Sequence, residues 1–163
     1  MRVLVTHDPV DAMTICDRLV VLEGGRVTQQ GLVSEVTATP RSPWVAALVG
    51  LNFYQGTAGG GTITLKDGRY LSVASALEGP AFALVHPRAV TLHRQQPQGS
   101  ARNVWMAEAG GLDFERDRVR VQITGSPPIV AEVTPAAAAD LRLRDGGPVW
   151  VSLKATEIDV YPA

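Results

Sequence analysis

An excess of charge of either sign is missing from this chain: fifteen Lys and Arg stand against sixteen Asp and Glu, a formal net charge of −1 over 163 residues. Such a balance gives no general basic field for nucleic acid or an anionic lipid surface, so any anion site must be local. Cysteine is almost absent. Cys16 alone cannot close an internal disulfide, and the first residues lack the basic stretch, apolar run and small-residue cleavage site of a secretory signal, which makes the cytoplasm the expected compartment. No apolar run of about eighteen residues or more occurs, so no membrane-spanning helix is expected.

What is present reads as globular: 45% of the residues are hydrophobic and 19% charged, enough to bury a core in one medium domain or two small ones. Residues 2–6 are β-branched and apolar without alternation, the pattern of a parallel strand buried on both faces. Asp8 is placed to cap a helix over residues 9–17, with Pro9 at its first position and Val10, Met13 and Cys16 at helical spacing. Gly24-Gly25 supplies a tight turn between strands at residues 19–22 and 27–30. Short helices are expected over residues 33–36 and 43–49, the second closed by Gly50.

Near residue 51 the texture changes to short strands punctuated by Gly and Pro. Strands are expected at 52–57, 61–65, 70–73, 81–85 and 90–93. A polar stretch, residues 94–99, leads to further strands at 103–109, 118–124, 129–134 and 149–160. One helix, residues 135–141, has Thr134 as its cap. Closure into a small barrel would remove the unpaired edges of such strands.

A histidine at the carboxyl end of a parallel strand, beside a helix start, lies where open α/β sheets meet phosphates. The stretch "LVTHDPVDAMTICDRLVVLEGGRVTQQG" resembles the switch-histidine region of the ATP-binding subunits of ABC transporters. That resemblance implies that His7 senses the γ-phosphate and helps position the attacking water, a catalytic role, with Asp8 supporting the loop. The rest of that machinery is not in the sequence. Gly59-Gly60-Gly61 runs into Thr62-Ile63-Thr64, and no Gly-Lys-Ser/Thr loop to cradle phosphates occurs. The Walker B acids and the Ser-Gly-Gly-Gln signature are missing as well, so this chain alone should not hydrolyse ATP.

Binding a tetrahedral oxyanion against water takes several convergent donors: hydroxyls, amides, backbone N–H groups and a cation or two. Ser100-Ala101-Arg102-Asn103 concentrates such donors, and Lys154-Ala155-Thr156, read as part of the last strand, adds another cation and hydroxyl. Spacing does not show that the two groups meet. From Ser100 to Val160, with "SARNV", "VRVQITG" and "VSLKATEIDVYP", the chain resembles the molybdate-binding barrel known as the Mop or TOBE domain. The resemblance implies Ser100, Arg102, Asn103, Lys154, Ala155 and Thr156 as oxyanion ligands at an interface between paired barrels. Residues 51–96 hold no second Ser-Ala-Arg-Asn, so a second subunit would complete the site. Residues 83–94, "ALVHPRAVTLHR", are similar to the stretch that introduces such a barrel in importer ATPases. His86 and His93 lack a third metal ligand and read as a turn and a strand histidine, so no metal is expected. Trp44, Trp105 and Trp150 read as core or interface aromatics.

The expected fold is mixed: a truncated α/β remnant of a P-loop nucleotide-binding domain (residues 1–50), a β connection (51–96) and an OB-like barrel of the TOBE/Mop type (97–163). The two resemblances together imply the C-terminal part of the ATP-binding subunit of a molybdate importer. Molybdate or tungstate would be its ligand, and ATP with Mg²⁺ would bind only in a complete subunit. A second copy and a membrane permease are the expected partners, nucleic acid is not, and the location is the inner face of the cell membrane. The alternatives are a stand-alone molybdate-binding or storage protein and a non-functional gene fragment.

Overall fold

The computed structural model describes residues 3–163, which separate into two compact units divided after Phe53. In the first, Asp8 caps α1 (Pro9–Ile15), its carboxylate accepting from the backbone N–H groups of Val10 (2.7 Å) and Asp11 (3.3 Å). The helix stops short of residue 17 because Cys16 is extended and the carbonyl of Asp17 accepts from Val33. Strands β1 (Arg18–Glu23) and β2 (Arg26–Leu32) pair as a hairpin over Gly24 and Gly25, both at positive φ, the conformation a two-residue turn requires. Val21 packs with Val36 of α2 (Val33–Ala38) and Val45 of α3 (Pro43–Leu48) in a small core. The hairpin's other face leaves Val20, Leu22 and Val27 exposed.

The strand expected at residues 2–6 does not form over its described part, residues 3–6; Arg2 lies outside the described residues. Val3 and Val5 are 79% and 93% exposed. A buried parallel strand exists only through hydrogen bonds to neighbours on both sides, and the described residues provide none for it.

From residue 52 onward, ten strands form two five-stranded sheets. One has the order β12-β6-β3-β4-β5 and the other β10-β9-β8-β11-β7. Their ranges are β3 (Asn52–Gly59), β4 (Thr62–Leu65), β5 (Tyr70–Ser72), β6 (Gly79–Val85), β7 (Thr91–His93), β8 (Asn103–Glu115), β9 (Arg118–Thr124), β10 (Ile129–Val133), β11 (Gly147–Leu153) and β12 (Ile158–Pro162). Thr134 caps α4 (Pro135–Asp140), its hydroxyl accepting from Ala137 N. Alternate residues on β8, β9 and β11, among them Ala107, Val119, Val121, Ile123, Val149 and Val151, are buried in one core shared with Ile63, Leu71 and Val85.

The two sheets are built alike, a duplication the sequence reading did not find. In each, a three-strand meander (β3-β4-β5 or β8-β9-β10) is joined on its first strand by the fourth strand, β6 or β11. The fifth strand is exchanged: β7, which follows β6, pairs with β11, while β12, which follows β11, pairs with β6. The registers agree. Ala58, Ile63 and Leu71 stand opposite one another across one meander, as Ala109, Ile123 and Ile129 do across the other. At the exchanged strands, Leu84 faces Asp159 and Ser152 faces Thr91. The pairing therefore runs across the 96/97 position.

Two expected boundaries need correction. The strand expected to end at residue 109 runs on to Glu115, because Gly110 and Gly111 form a bulge, not a stop. A Cβ on Gly110 would lie 3.1 Å from the carbonyl oxygen of Gln122, a close approach suited to glycine. The single strand expected over residues 149–160 is two, β11 and β12, separated by a 3-10 turn at Ala155–Glu157. The chain must leave one sheet there to enter the other, which no continuous strand could do. Lys154-Ala155-Thr156 therefore lies in a crossover and not in the last strand.

Candidate oxyanion site

Antiparallel pairing brings the two donor groups together. Asn103, the first residue of β8, stands opposite Leu153, the last of β11. Ser100–Arg102 enters and Lys154–Thr156 leaves at that same end of the strand pair.

Asn103 fastens this end. Its side chain is 6% exposed, and its Oδ1 accepts from Ser72 N (2.7 Å) while its Nδ2 donates to the carbonyls of Ser72 (2.9 Å) and Leu153 (3.3 Å). One side chain thus ties β8 and β11 to β5 of the other sheet. Both amide N–H groups go to backbone carbonyls, so within a single chain Asn103 is a positioning residue for the segments on either side. A further backbone bond, from Ala74 N to the Ala155 carbonyl (3.1 Å), holds the crossover turn against the chain beyond β5.

Around this anchor the remaining expected ligands face solvent. Ser100, Arg102, Lys154 and Thr156 are exposed and Ala155 is half-buried. Among the described residues no carboxylate pairs with Arg102 or Lys154, so two cations and two hydroxyls flank one strand end uncompensated. Such a group can take an anion through charge-assisted hydrogen bonds.

The other crossover, between β6 and β7, is a 3-10 turn at Pro87–Ala89. His86 Nδ1 accepts from Arg88 N (3.1 Å), and His93 Nε2 lies 2.9 Å from the Ser152 hydroxyl. These are a turn and a strand histidine, and no group of three metal-ligating side chains occurs among the described residues. Arg88 Nε donates to Glu132 Oε1 (2.7 Å), as does Arg118 Nη1 (3.2 Å). The hydrogen bond from Arg88, reinforced by the charge of Arg118, holds the Glu132 carboxyl below the usual carboxylate range.

His7 and Asp8 lie together at the exposed entry to α1. Asp8 is engaged locally: besides capping the helix, its N–H donates to Thr6 Oγ1 (3.0 Å). Gly60 and Gly61, both at positive φ, make the hairpin turn from β3 to β4 and not a phosphate loop. Of the tryptophans, Trp44 is 41% exposed, and Trp105 packs on the core with its indole N–H buried and without a hydrogen-bond partner among the described residues.

Comparison with known proteins shows what the chain is similar to. Residues 100–160 match the TOBE domain. The chain is 35% identical, over 99% of its length, to the molybdenum import ATP-binding protein ModC of Mycobacterium tuberculosis strain H37Rv. It is 29% identical, over 97% of its length, to the molybdate/tungstate import ATP-binding protein WtpC of Pyrococcus horikoshii. It spans 46% of each of those proteins. Among solved structures, the cytoplasmic molybdate-binding protein ModG, with molybdate bound, superposes with a TM-score of 0.58 at 21% identity, covering 69% of this chain and 96% of that one. The chain is thus mostly β in its larger unit, carries a TOBE domain, and corresponds over nearly all its length to the C-terminal portion of ATP-binding proteins of molybdenum and tungsten import.

Proposed function

We propose that this chain serves as the C-terminal part of the ATP-binding subunit of a molybdate importer, and that its two-sheet unit binds a tetrahedral oxyanion, molybdate or tungstate, at the crossover after β11. The observation that supports this most is the pairing of Asn103 with Leu153, which delivers Ser100, Arg102, Lys154, Ala155 and Thr156 to one strand end, with no carboxylate paired to either cation among the described residues. Arg102 and Lys154 neutralise the anion, Ser100 and Thr156 supply hydroxyl donors, Ala155 supplies backbone, and Asn103 sets the spacing. A second copy of the chain closes the exposed side of the site.

In this reading residues 1–50 are the last piece of a nucleotide-binding domain, and residues 51–96 and 97–163, expected as connection and barrel, supply the two strand-exchanged halves of one unit. His7, supported by Asp8, faces the γ-phosphate only when the phosphate-cradling part of that domain is also present. The residues of this chain do not themselves fit ATP and Mg²⁺, for the sequence has no Gly-Lys-Ser/Thr loop. The assembled subunit sits against a permease at the inner face of the membrane; no helix among the described residues is long and apolar enough to cross it.

Calorimetric titration with molybdate, with the oligomeric state read on the same sample by light scattering, tests the site. Binding to a dimer that weakens at least about tenfold in Arg102→Ala and Lys154→Ala is expected, since each removes a charge-assisted hydrogen bond of about 1.5–3 kcal/mol. Both side chains are exposed, so folding stability should stay within about 0.5 kcal/mol. A well-folded parent that binds no oxyanion would overturn the reading. The likeness to ModG supports a second reading, a free-standing oxyanion-binding protein. That reading expects the same binding with no effect of molybdate on ATP turnover once the rest of the subunit is supplied.

A further inference from the structure

The duplication lets the two crossovers be compared position by position. Ser152 opposite Thr91 corresponds to Leu84 opposite Asp159, so two residues further along Lys154, Ala155 and Thr156 correspond to His86, Pro87 and Arg88. Likewise Ile63 opposite Leu71 corresponds to Ile123 opposite Ile129, so three residues beyond each, Ala74 corresponds to Glu132. At the first crossover the chain facing the turn contributes Ala74, whose N–H bonds Ala155 and whose side chain is one methyl group. At the second it contributes a carboxylate, 10% exposed, accepting from Arg88 and Arg118.

We infer that the crossover at residues 86–88 is a second oxyanion site held closed by an internal anion, the Glu132 carboxylate, so that an unaltered chain offers one working crossover and not two. The inference rests on the oxyanion reading of the Lys154 crossover. Its physical content is competition. A carboxylate built into the fold has a high effective concentration at Arg88 and Arg118 and loses little further entropy on binding them, so a dissolved oxyanion cannot displace it at ordinary concentrations. Pro87 also has no backbone N–H to offer, where Ala155 has one, which leaves the second site dependent on its guanidiniums. The Arg88–Glu132 pair would then act as a specificity device, confining the anion to one end of a duplicated unit.

Glu132→Ala gives the second crossover the side chain that the first has at Ala74. Equilibrium dialysis of the full chain against molybdate, run on the parent, Glu132→Ala and the double variant Glu132→Ala/Arg88→Ala, tests the inference. Molybdate bound per chain should double in Glu132→Ala and return to the parental value in the double variant. A parent that binds with unchanged stoichiometry in Glu132→Ala overturns the inference and leaves the Lys154 site standing. Binding seen in Glu132→Ala but not in the parent supports the second site while removing the first, and binding in none of the three removes both. If Glu132→Ala loses its cooperative thermal transition, its recovery in millimolar molybdate supports the inference and failure to recover overturns it.

Discussion

Truncating Asn103 to alanine should cost far more than the loss of one surface amide. The side chain is buried and makes three hydrogen bonds, to Ser72 N, Ser72 O and Leu153 O. The variant leaves one N–H and two carbonyls without those partners in a site that water reaches poorly. Each buried unsatisfied group costs about 1–3 kcal/mol. The Leu153 bond is the longest, at 3.3 Å, and the vacated space admits some solvent, so the total belongs near the low end, about 2–4 kcal/mol. For a unit of this size that is a fall in Tm of about 10–20 °C. Hydrogen exchange gives a local reading of the same effect. The Ser72 amide should lose most of its protection while amides in the middle of β9, such as Val121, keep theirs relative to global unfolding. A variant within about 0.5 kcal/mol of the parent, with Ser72 still protected, would show that Asn103 does not fasten the two sheets and would refute the account of how the donor segments are held.

Other substitutions probe other parts of the argument. Gly56→Ala places a Cβ overlapping the Thr64 carbonyl oxygen, with the carbonyl carbon 2.9 Å away; it should cost about 1–3 kcal/mol, and a chemical denaturation midpoint equal to the parent's would contradict the close approach of β3 and β4. Because the Glu132 carboxyl is held below its usual range, it stabilises the fold above about pH 4 and that contribution is lost as pH falls through the folded value. Glu132→Gln should therefore flatten the acid side of the stability–pH profile, by an amount that shrinks in high salt because Arg88 is 59% exposed. Asp8→Ala removes the cap of α1 and should weaken that helix by about 1 kcal/mol, visible as faster exchange at Val10 and Asp11 and not as a change in global melting.

The sequence made most elements legible because their signals are local. Asp8 and Thr134 cap the helices they precede, and Gly24-Gly25 turns the hairpin. Illegible were features decided by distant partners. Residues 3–6 have the composition of a buried strand, but composition supplies no neighbours to pair with. The break between β11 and β12 falls in "LKATEI", which carries neither Gly nor Pro, and it follows from a change of sheet that only the tertiary pairing imposes. The duplication is illegible in the sequence because its halves have diverged at the positions that give a motif its identity: Leu51 stands before Asn52 where Arg102 stands before Asn103, and His86-Pro87-Arg88 stands where Lys154-Ala155-Thr156 does. Asn103 was legible as a polar residue in a donor motif, but nothing in the sequence shows that both its N–H groups are taken by backbone.

A strand exchange also explains why the donors collect where they do. Inside either sheet, ladder bonds to neighbouring strands claim the backbone N–H groups, and side chains either enter the core or stand singly on a face. At a crossover the chain has left the partner of β11 and has not yet reached β6, so the side chains of Lys154 and Thr156 leave both sheets together at one place, while the turn's backbone is tied down by Ala74 N and by the Glu157 N–H bond to the Lys154 carbonyl. Asn103 makes that place stiff by spanning three strands at its base, which lowers the entropy lost when flexible cations such as Arg102 and Lys154 are ordered around an anion. The second crossover has the same backbone connection, and its cations are already ordered, around Glu132. The two ends of the unit therefore form an internal comparison, in which fold and connectivity are shared while the turn residues and the side chain facing the turn differ. Whether an end binds a dissolved anion is then a question about residues 74 and 132 more than about the barrel as a whole.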